Sequence, residues 1–198
     1  MVTLFYSLGS PYARMVRVAL IETGLPVEQV KVTLRDPAST LLPYNPVGRV
    51  PTLRLDDGTV LTESLLILSW LDGRFPASGL WPRNDVDRAR MGTAMGMLDG
   101  IAVWNRELRR PENERSPGVL ALEETRANRT ADALEGLVAG GACAEPIDAG
   151  QIALGCVLGY CERRHPVWAW RAGRPALAAW HDRMMERPSF QATMPPVG

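Results

Sequence analysis

The chain has 198 residues, of which 46% are hydrophobic and 22% are charged, ordinary values for a globular protein. Its 22 basic residues equal its 22 acidic ones in number, so the net charge predicts neither a nucleic-acid-binding protein nor one held on an anionic membrane. The longest apolar run, residues 152–160, is far shorter than the ~20 residues that a membrane span requires. Residues 1–6 lack the pattern of a signal peptide, and three cysteines without framework spacing suit a reducing compartment. We therefore expect a cytoplasmic protein.

The first 32 residues predict a strand, a helix and a second strand. Residues 2–6 are β-branched and aromatic, as in a buried strand, and residues 27–32 supply the second strand. Between them, Ser10 followed by Pro11 favours a helix start, because a hydroxyl can cap the free amides and proline fits the first turn. Gly24 is expected to end this helix. The pattern is that of a βαβ unit with parallel strands.

A loop and a strand that begins with proline follow. Residues 45–49 contain a proline and a glycine and predict the loop, and Pro51 opens the short apolar strand of residues 52–55. The Val50–Pro51 peptide bond can be cis because the second residue is proline. A main-chain edge that is free at this point can pair with an extended peptide ligand.

The next segment predicts a hairpin and then a helix. Asp57 and Gly58 are expected to supply the positive φ angles of a tight turn, and residues 59–62 form the returning strand. Glu63 and Ser64 stand where the next helix begins. Free amides, a hydroxyl and the positive end of the helix dipole favour the binding of a carboxylate there.

A Pro- and Gly-containing segment separates this region from the rest of the chain. Residues 75–82 contain two prolines and a glycine and predict a linker. Beyond it every predicted element is a helix, and the first carries two adjacent apolar stripes, as inside a bundle. The predicted helices cover residues 85–110, 116–140, 148–158 and 175–187. We divide the chain into an N-terminal domain (1–75), a linker (76–84) and an all-α C-terminal domain (85–198).

The third of these helices begins with a recognisable capping pattern. Asp148 is expected to cap the helix, and Gln151 to reach back to the main chain of Asp148. Ile147 can pack on Ile152, which would complete a hydrophobic staple. The helix that follows is apolar nearly all round, so we expect it at the core of the bundle.

The order of these motifs resembles that of the cytosolic glutathione S-transferases of bacterial type. The motifs are Val50-Pro51 before a hairpin and Glu63-Ser64 at the next helix start. The resemblance implies a thioredoxin-like N-terminal domain (βαβ-ββα) followed by an all-α helical bundle. It also implies that the main chain of Val50 pairs with the cysteinyl part of glutathione, that Glu63 and Ser64 hold its γ-glutamyl end, and that Arg49 helps to hold its glycyl carboxylate. Family members are usually homodimers that detoxify hydrophobic electrophiles.

Ser10 is the candidate that would ionise the glutathione thiol. A free thiol has a pKa of ~8.5, and a hydrogen-bond donor at a helix N-terminus lowers it. Ser10-Pro11-Tyr12 resembles the Cys-Pro-Phe motif of some classes of the family, with serine in place of cysteine. Serine can donate a hydrogen bond but cannot form the mixed disulfides that cysteine forms, so conjugation is favoured over disulfide reduction. Ser7 and Tyr6 remain alternative donors.

The remaining polar residues carry weaker predictions. Arg14 and Arg17 are expected to face away from the apolar side of the first helix, and residues 181–183 to form a solvated helix face. His165 and His181 have no carboxylate or cysteine at ligand spacing, so no metal site is expected.

The electrophile pocket is only outlined by the sequence. Tyr12, Trp104 and Arg106 could border it, although aromatic residues on helices more often belong to the core. The alternatives to conjugation are a GST-like binding or regulatory protein without catalysis, and a glutathione-dependent peroxidase or isomerase on the same scaffold.

Overall fold

The structure, a computed structural model, describes residues 1–198. Its first half alternates strands and helices: β1 (Thr3–Tyr6), α1 (Pro11–Thr23), β2 (Glu28–Lys31), β3 (Thr52–Arg54), β4 (Val60–Thr62) and α2 (Ser64–Arg74). The second half is helical: α3 (Asp85–Leu108), α4 (Pro117–Ala139), α5 (Ala149–Arg164), α6 (Pro175–Met185) and α7 (Pro188–Ala192). Short 3₁₀ turns cover Pro76–Ser78 and Glu112–Glu114.

The four strands form one mixed sheet in the order β2-β1-β3-β4. β1 pairs in parallel with β2 and antiparallel with β3, and β3 pairs antiparallel with β4. The predicted fold class, a thioredoxin-like βαβ-ββα unit followed by a helical bundle, is confirmed. None of the helices has the length and hydropathy that crossing a bilayer would require.

The hairpin turn differs in detail from the prediction. Gly58 has a φ of 87°, whereas Asp57 does not adopt a positive φ, so that part of the expectation was wrong. Asp57 instead accepts a hydrogen bond from the Thr59 amide at 2.8 Å, and the Gly58 amide donates to the Leu55 carbonyl at 3.1 Å. A carboxylate that bonds the amide two residues on stabilises the turn without a positive φ of its own.

Helix α1 begins and ends as predicted, but its arginines do not both face solvent. The prediction for Arg14 was wrong, because only 2% of this residue is exposed. α1 packs against α5 and α7, and Arg14 donates to the carbonyl of Phe190 at 3.1 Å. Arg17 is half-buried, with its guanidinium over the ring of Tyr6 at 4.6 Å. Contact between the two halves of the chain thus buries Arg14, whereas Arg17 packs within the N-terminal half.

Helix α5 is the centre of the bundle, and its first thirteen residues are all buried. Asp148 caps it by accepting from the Gln151 amide at 2.8 Å, as predicted. The Gln151 side chain does not reach back to Asp148, so the expectation of a reciprocal capping box was wrong. It donates instead to the carbonyls of Ala144 at 2.9 Å and Pro146 at 3.2 Å, which ties the preceding loop to the helix.

The predicted linker and the predicted solvated helix face are both attached to this core. In the predicted linker, Leu80 is buried, and its carbonyl accepts from the Ala149 amide at 2.7 Å. In α6, His181 is fully buried, so the expected solvated face is restricted to Asp182 and Arg183. The His181 ring is buried because it packs edge-on against an indole of the bundle, with ring centroids 5.2 Å apart.

Candidate active site

A cleft of about 510 Å³ lies between the sheet-containing half of the chain and the bundle. One wall is formed by the start of α1, the loop that precedes β3 and the junction between β4 and α2. The opposite wall is formed by the cleft-facing side of α3 with Tyr160 of α5. The two walls therefore come from the two different halves of the fold.

All six residues predicted to bind glutathione or to activate it line this one cleft. They come from three separate segments of the chain: Ser10; Arg49, Val50 and Pro51; and Glu63 and Ser64. The sequence order of the βαβ-ββα unit brings these segments together because β3 lies next to β1 and carries β4 beside it. Their convergence is a geometric fact, whereas their roles stay predictions.

The loop with Val50 and Pro51 is held by a buried asparagine that sequence reasoning missed. Asn45 donates to the Arg49 carbonyl at 3.0 Å and to the Thr52 hydroxyl at 2.9 Å. Its side-chain oxygen accepts from the Val47 amide at 3.0 Å, an Asx turn that the Asn-Pro pair could have signalled. The Val50–Pro51 peptide bond is cis. Asn45 thus fixes the loop that presents the Val50 main chain to the cleft.

Glu63 adopts an unusual conformation at the junction of β4 and α2. Its φ is 66° and its ψ is 124°, a region that costs a non-glycine residue on the order of 1–3 kcal/mol. Its carboxylate makes no capping bond to α2 and projects as an exposed group at the cleft, whereas the adjacent Ser64 is buried at the first turn. Backbone strain of this kind persists where the surrounding structure fixes it, which points to a functional position.

Ser10 is better placed than its alternatives to meet a thiol in the cleft. Its hydroxyl oxygen accepts from the Ala13 amide at 3.2 Å, which leaves the hydroxyl hydrogen free to donate. Ser10 lines the cleft, and neither Ser7 nor Tyr6 does. The position at the N-terminus of α1 adds the positive end of the helix dipole.

A hydrogen bond from Tyr12 to Asp99 crosses the cleft between α1 and α3. The phenol donates to the Asp99 carboxylate at 2.5 Å. Partial burial, together with this bond to a carboxylate, raises the pKa of Tyr12, while Arg106 and Arg49 act in the opposite direction. Tyr12 therefore remains a protonated donor near neutral pH and does not act as a base.

Two of the three residues considered for the border of the electrophile pocket line the cleft, and the third belongs to the core. Tyr12 and Arg106 do line the cleft, but Trp104 lies in the core, edge-on to His165 with ring centroids 4.5 Å apart. Sequence reasoning missed Arg109, which lies three residues beyond Arg106 and on the same side of the helix end. That helical spacing was a usable signal.

Cysteine chemistry has no place in this cleft. None of the three cysteines lines it, and Cys156 and Cys161 are buried in α5. Burial raises the pKa of the Cys156 thiol to about 11, so it stays protonated and unreactive near neutral pH.

Comparison with known proteins assigns the chain to a family. Residues 4–79 match the model of the glutathione S-transferase N-terminal domain, and residues 117–183 match that of the C-terminal domain. A glutathione transferase family member from Pseudomonas fluorescens Pf-5, crystallised with bound glutathione, has 35% sequence identity and a TM-score of 0.90 and covers 100% of both chains. The chain belongs to the glutathione S-transferase family.

Two curated proteins show how diverse the similar proteins are. The GST-like protein YibF of Escherichia coli K12, described as uncharacterized, is 29% identical over 195 residues, which are 96% of each chain. Maleylacetoacetate isomerase of Pseudomonas aeruginosa is 37% identical over 93 residues, which are 43% of this chain and 42% of that enzyme.

Proposed function

We propose that this protein is a glutathione transferase that conjugates the thiolate of glutathione to a hydrophobic electrophile. The observation that carries the proposal is the convergence of Ser10, the Val50 main chain and the Glu63-Ser64 pair in one cleft. A relative that covers the whole chain holds glutathione in its crystal structure, which supports glutathione as the co-substrate here.

Glutathione would lie extended along the wall formed by the sheet-containing half. The Val50 main chain would pair with its cysteinyl unit, as in strand addition. Glu63 would accept its γ-glutamyl ammonium group, and Ser64 with the N-terminus of α2 would bind the adjacent carboxylate. The exposed guanidinium of Arg49 would pair with the glycyl carboxylate.

Conjugation then needs only a thiolate and a well-placed electrophile. The Ser10 hydroxyl donates to the sulfur and, with the α1 dipole, lowers the pKa of the bound thiol. The thiol proton goes to solvent, and the thiolate attacks the electrophilic carbon. A carbon–sulfur bond forms, and the leaving group departs with its electron pair.

We further propose that the protein acts as a cytoplasmic homodimer in detoxification, with the domain boundaries given above. Large apolar side chains are exposed on α2, α3 and α4, among them Leu66, Val86 and Leu122. Exposed apolar groups of this kind support self-association. Sedimentation velocity would test it, since a monomer at micromolar concentration would contradict the proposal.

The role of Ser10 is tested by turnover of 1-chloro-2,4-dinitrobenzene as a function of pH. In Ser10→Ala, we expect the pKa seen in the kcat/KM profile to rise toward that of free glutathione. Ser7→Ala is the matched control, because Ser7 is in the same loop but does not line the cleft, and its profile should not change. An unchanged profile for Ser10→Ala would contradict the assigned role.

Two further assays separate the other activities. Turnover of an organic hydroperoxide in place of the aryl chloride would favour a peroxidase, and turnover of a cis-enone diacid would favour an isomerase. Glutathione binding with no turnover of any of these substrates would favour a binding or regulatory protein.

A further inference from the structure

Two arginines at the bundle wall of the cleft have no acidic partner. Arg88, Arg90 and Arg110, which lie on α3 or just beyond it, form ion pairs with nearby carboxylates at N–O distances of 2.9–3.4 Å. Arg106 donates from Nε to a main-chain carbonyl of its own helix at 2.9 Å, and its terminal nitrogens have no protein partner. Arg109 has no side-chain partner either, so the unpaired arginines of this segment are the ones that line the cleft.

Helical spacing places these arginines on one wall. Asp99, Ala102, Arg106 and Arg109 line the cleft and follow one another at intervals of three or four residues, and Val103, which also lines it, is four residues from Asp99 and three from Arg106. Residues at such intervals share one face of a helix. The wall is therefore apolar in its middle and carries a positive charge at the end of α3.

The other charged groups of the cleft already have partners or proposed ligands. The Asp99 carboxylate accepts the hydrogen bond from the tyrosine hydroxyl across the cleft. Under the proposed function, Glu63 and Arg49 are engaged by glutathione on the opposite wall. Arg106 and Arg109 remain as two cations without a counterion, at a place where a bound substrate would exclude water and strengthen their attraction to an anion.

We propose that the electrophile carries a carboxylate, which Arg106 and Arg109 bind while its apolar body rests on Ala102, Val103 and the start of α1. The inference rests on the proposed function, because it assigns the substrate class of the same cleft. Guanidinium groups match carboxylates in geometry and bind them through charge-assisted hydrogen bonds. These two arginines would therefore determine specificity and would not take part in the chemistry.

A matched pair of aryl chlorides tests the preference. 4-Chloro-3,5-dinitrobenzoate and 4-chloro-3,5-dinitrobenzamide share one ring and one leaving group, and only the first carries a negative charge. In both, the thiolate forms a carbon–sulfur bond and chloride leaves with the electron pair. The kcat/KM values are divided by the uncatalysed rate constants with glutathione, so that intrinsic reactivity cancels.

The wild type should favour the benzoate over the benzamide by about tenfold, the effect of one hydrogen bond to a charged group. The preference should shrink at high ionic strength, because salt screens partly exposed charges. The double variant Arg106→Gln/Arg109→Gln should treat both substrates alike. Arg110→Gln is the matched control, since this arginine is in the same segment but pairs with Glu114 and does not line the cleft.

Three results would overturn the inference. They are equal use of both substrates by the wild type, an equal loss for both in the double variant, and a raised KM for glutathione with the preference intact. The last would assign the arginines to glutathione itself.

A binding measurement separates this failure from that of the proposed function. The S-aryl conjugates of glutathione with the two rings are titrated into the wild type and the double variant without any turnover. Tighter binding of the carboxylated conjugate by the wild type alone supports the inference even for a protein without catalysis. Equal binding overturns it and leaves the proposed function standing, and the absence of binding by either conjugate overturns both.

Discussion

The packing around Gly155 allows a sharp prediction about stability. Gly155 lies in the middle of α5, and a Cβ atom added there would come within 2.7 Å and 2.9 Å of two ring atoms of Phe190. Phe190 is fully buried on α7, and its carbonyl accepts a hydrogen bond from Arg14 of α1. The ring therefore has little room to move, and Gly155→Ala should disturb the junction of α1, α5 and α7.

The magnitude follows from two opposing contributions. Overpacking a well-packed core costs about 1–3 kcal/mol, whereas replacing glycine by alanine inside a helix returns about 1 kcal/mol. Gly92→Ala in α3 is the matched control, because no atom lies within 4 Å of its added Cβ and only the gain should be seen. We expect Gly155→Ala to be less stable than Gly92→Ala by about 1–3 kcal/mol.

Urea unfolding, followed by circular dichroism, measures the free energy of unfolding of both variants. The double variant Gly155→Ala/Phe190→Leu adds a second check, because a smaller side chain should relieve part of the clash and give a non-zero coupling energy. Equal stability of the two single variants, or purely additive effects in the double variant, would refute this account of the packing.

Three more predictions follow from other contacts. Asp148→Ala should be less stable than Asp148→Asn by about 1 kcal/mol in urea unfolding, because asparagine still caps α5; equal stability would contradict the cap. Burial lowers the pKa of His165 and of His181 to about 4, so both are neutral when folded and protonate more readily when unfolded. The contribution of the two neutral histidines to the free energy of unfolding should therefore be fully present above pH 6.5 and fall by up to about 1.4 kcal/mol per pH unit and per histidine toward pH 4. In His181→Asn, the melting temperature should depend less on pH over that range. Tyr12→Phe removes the bond to Asp99 but should leave the pH profile of turnover unchanged, and a shifted thiol pKa would show that Tyr12 helps to ionise glutathione.

Local sequence signals predicted the elements that depend on local chemistry. Ser10, Ser116 and Asp148 were each expected at a helix start, and each accepts a hydrogen bond from an amide of the first turn. The βαβ-ββα order followed from strand and turn patterns, because each element carries its own periodicity. Motif order then predicted which segments meet at the cleft, since the sheet topology brings Val50 and Glu63 beside the start of α1.

The wrong predictions concern contacts between distant parts of the chain. Arg14 was expected in solvent because it is a charged residue among apolar neighbours on α1. It is covered instead by α7, whose residues lie more than 170 positions away in the sequence. His181 was misplaced for the same reason, since its burial depends on how the helices pack against each other. A periodicity reveals that a face is buried, but only the packed bundle decides which side chains lie at its edge.

The most direct test of the central claim is a calorimetric titration of the wild type with glutathione, repeated with Glu63→Gln and with the control Glu162→Gln, whose carboxylate lies outside the cleft. We predict that the wild type and Glu162→Gln bind glutathione with equal affinity. Glu63→Gln should bind about tenfold or more weakly, because the γ-glutamyl ammonium loses its charged partner. No binding by the wild type at millimolar glutathione, or full affinity in Glu63→Gln, would contradict the account.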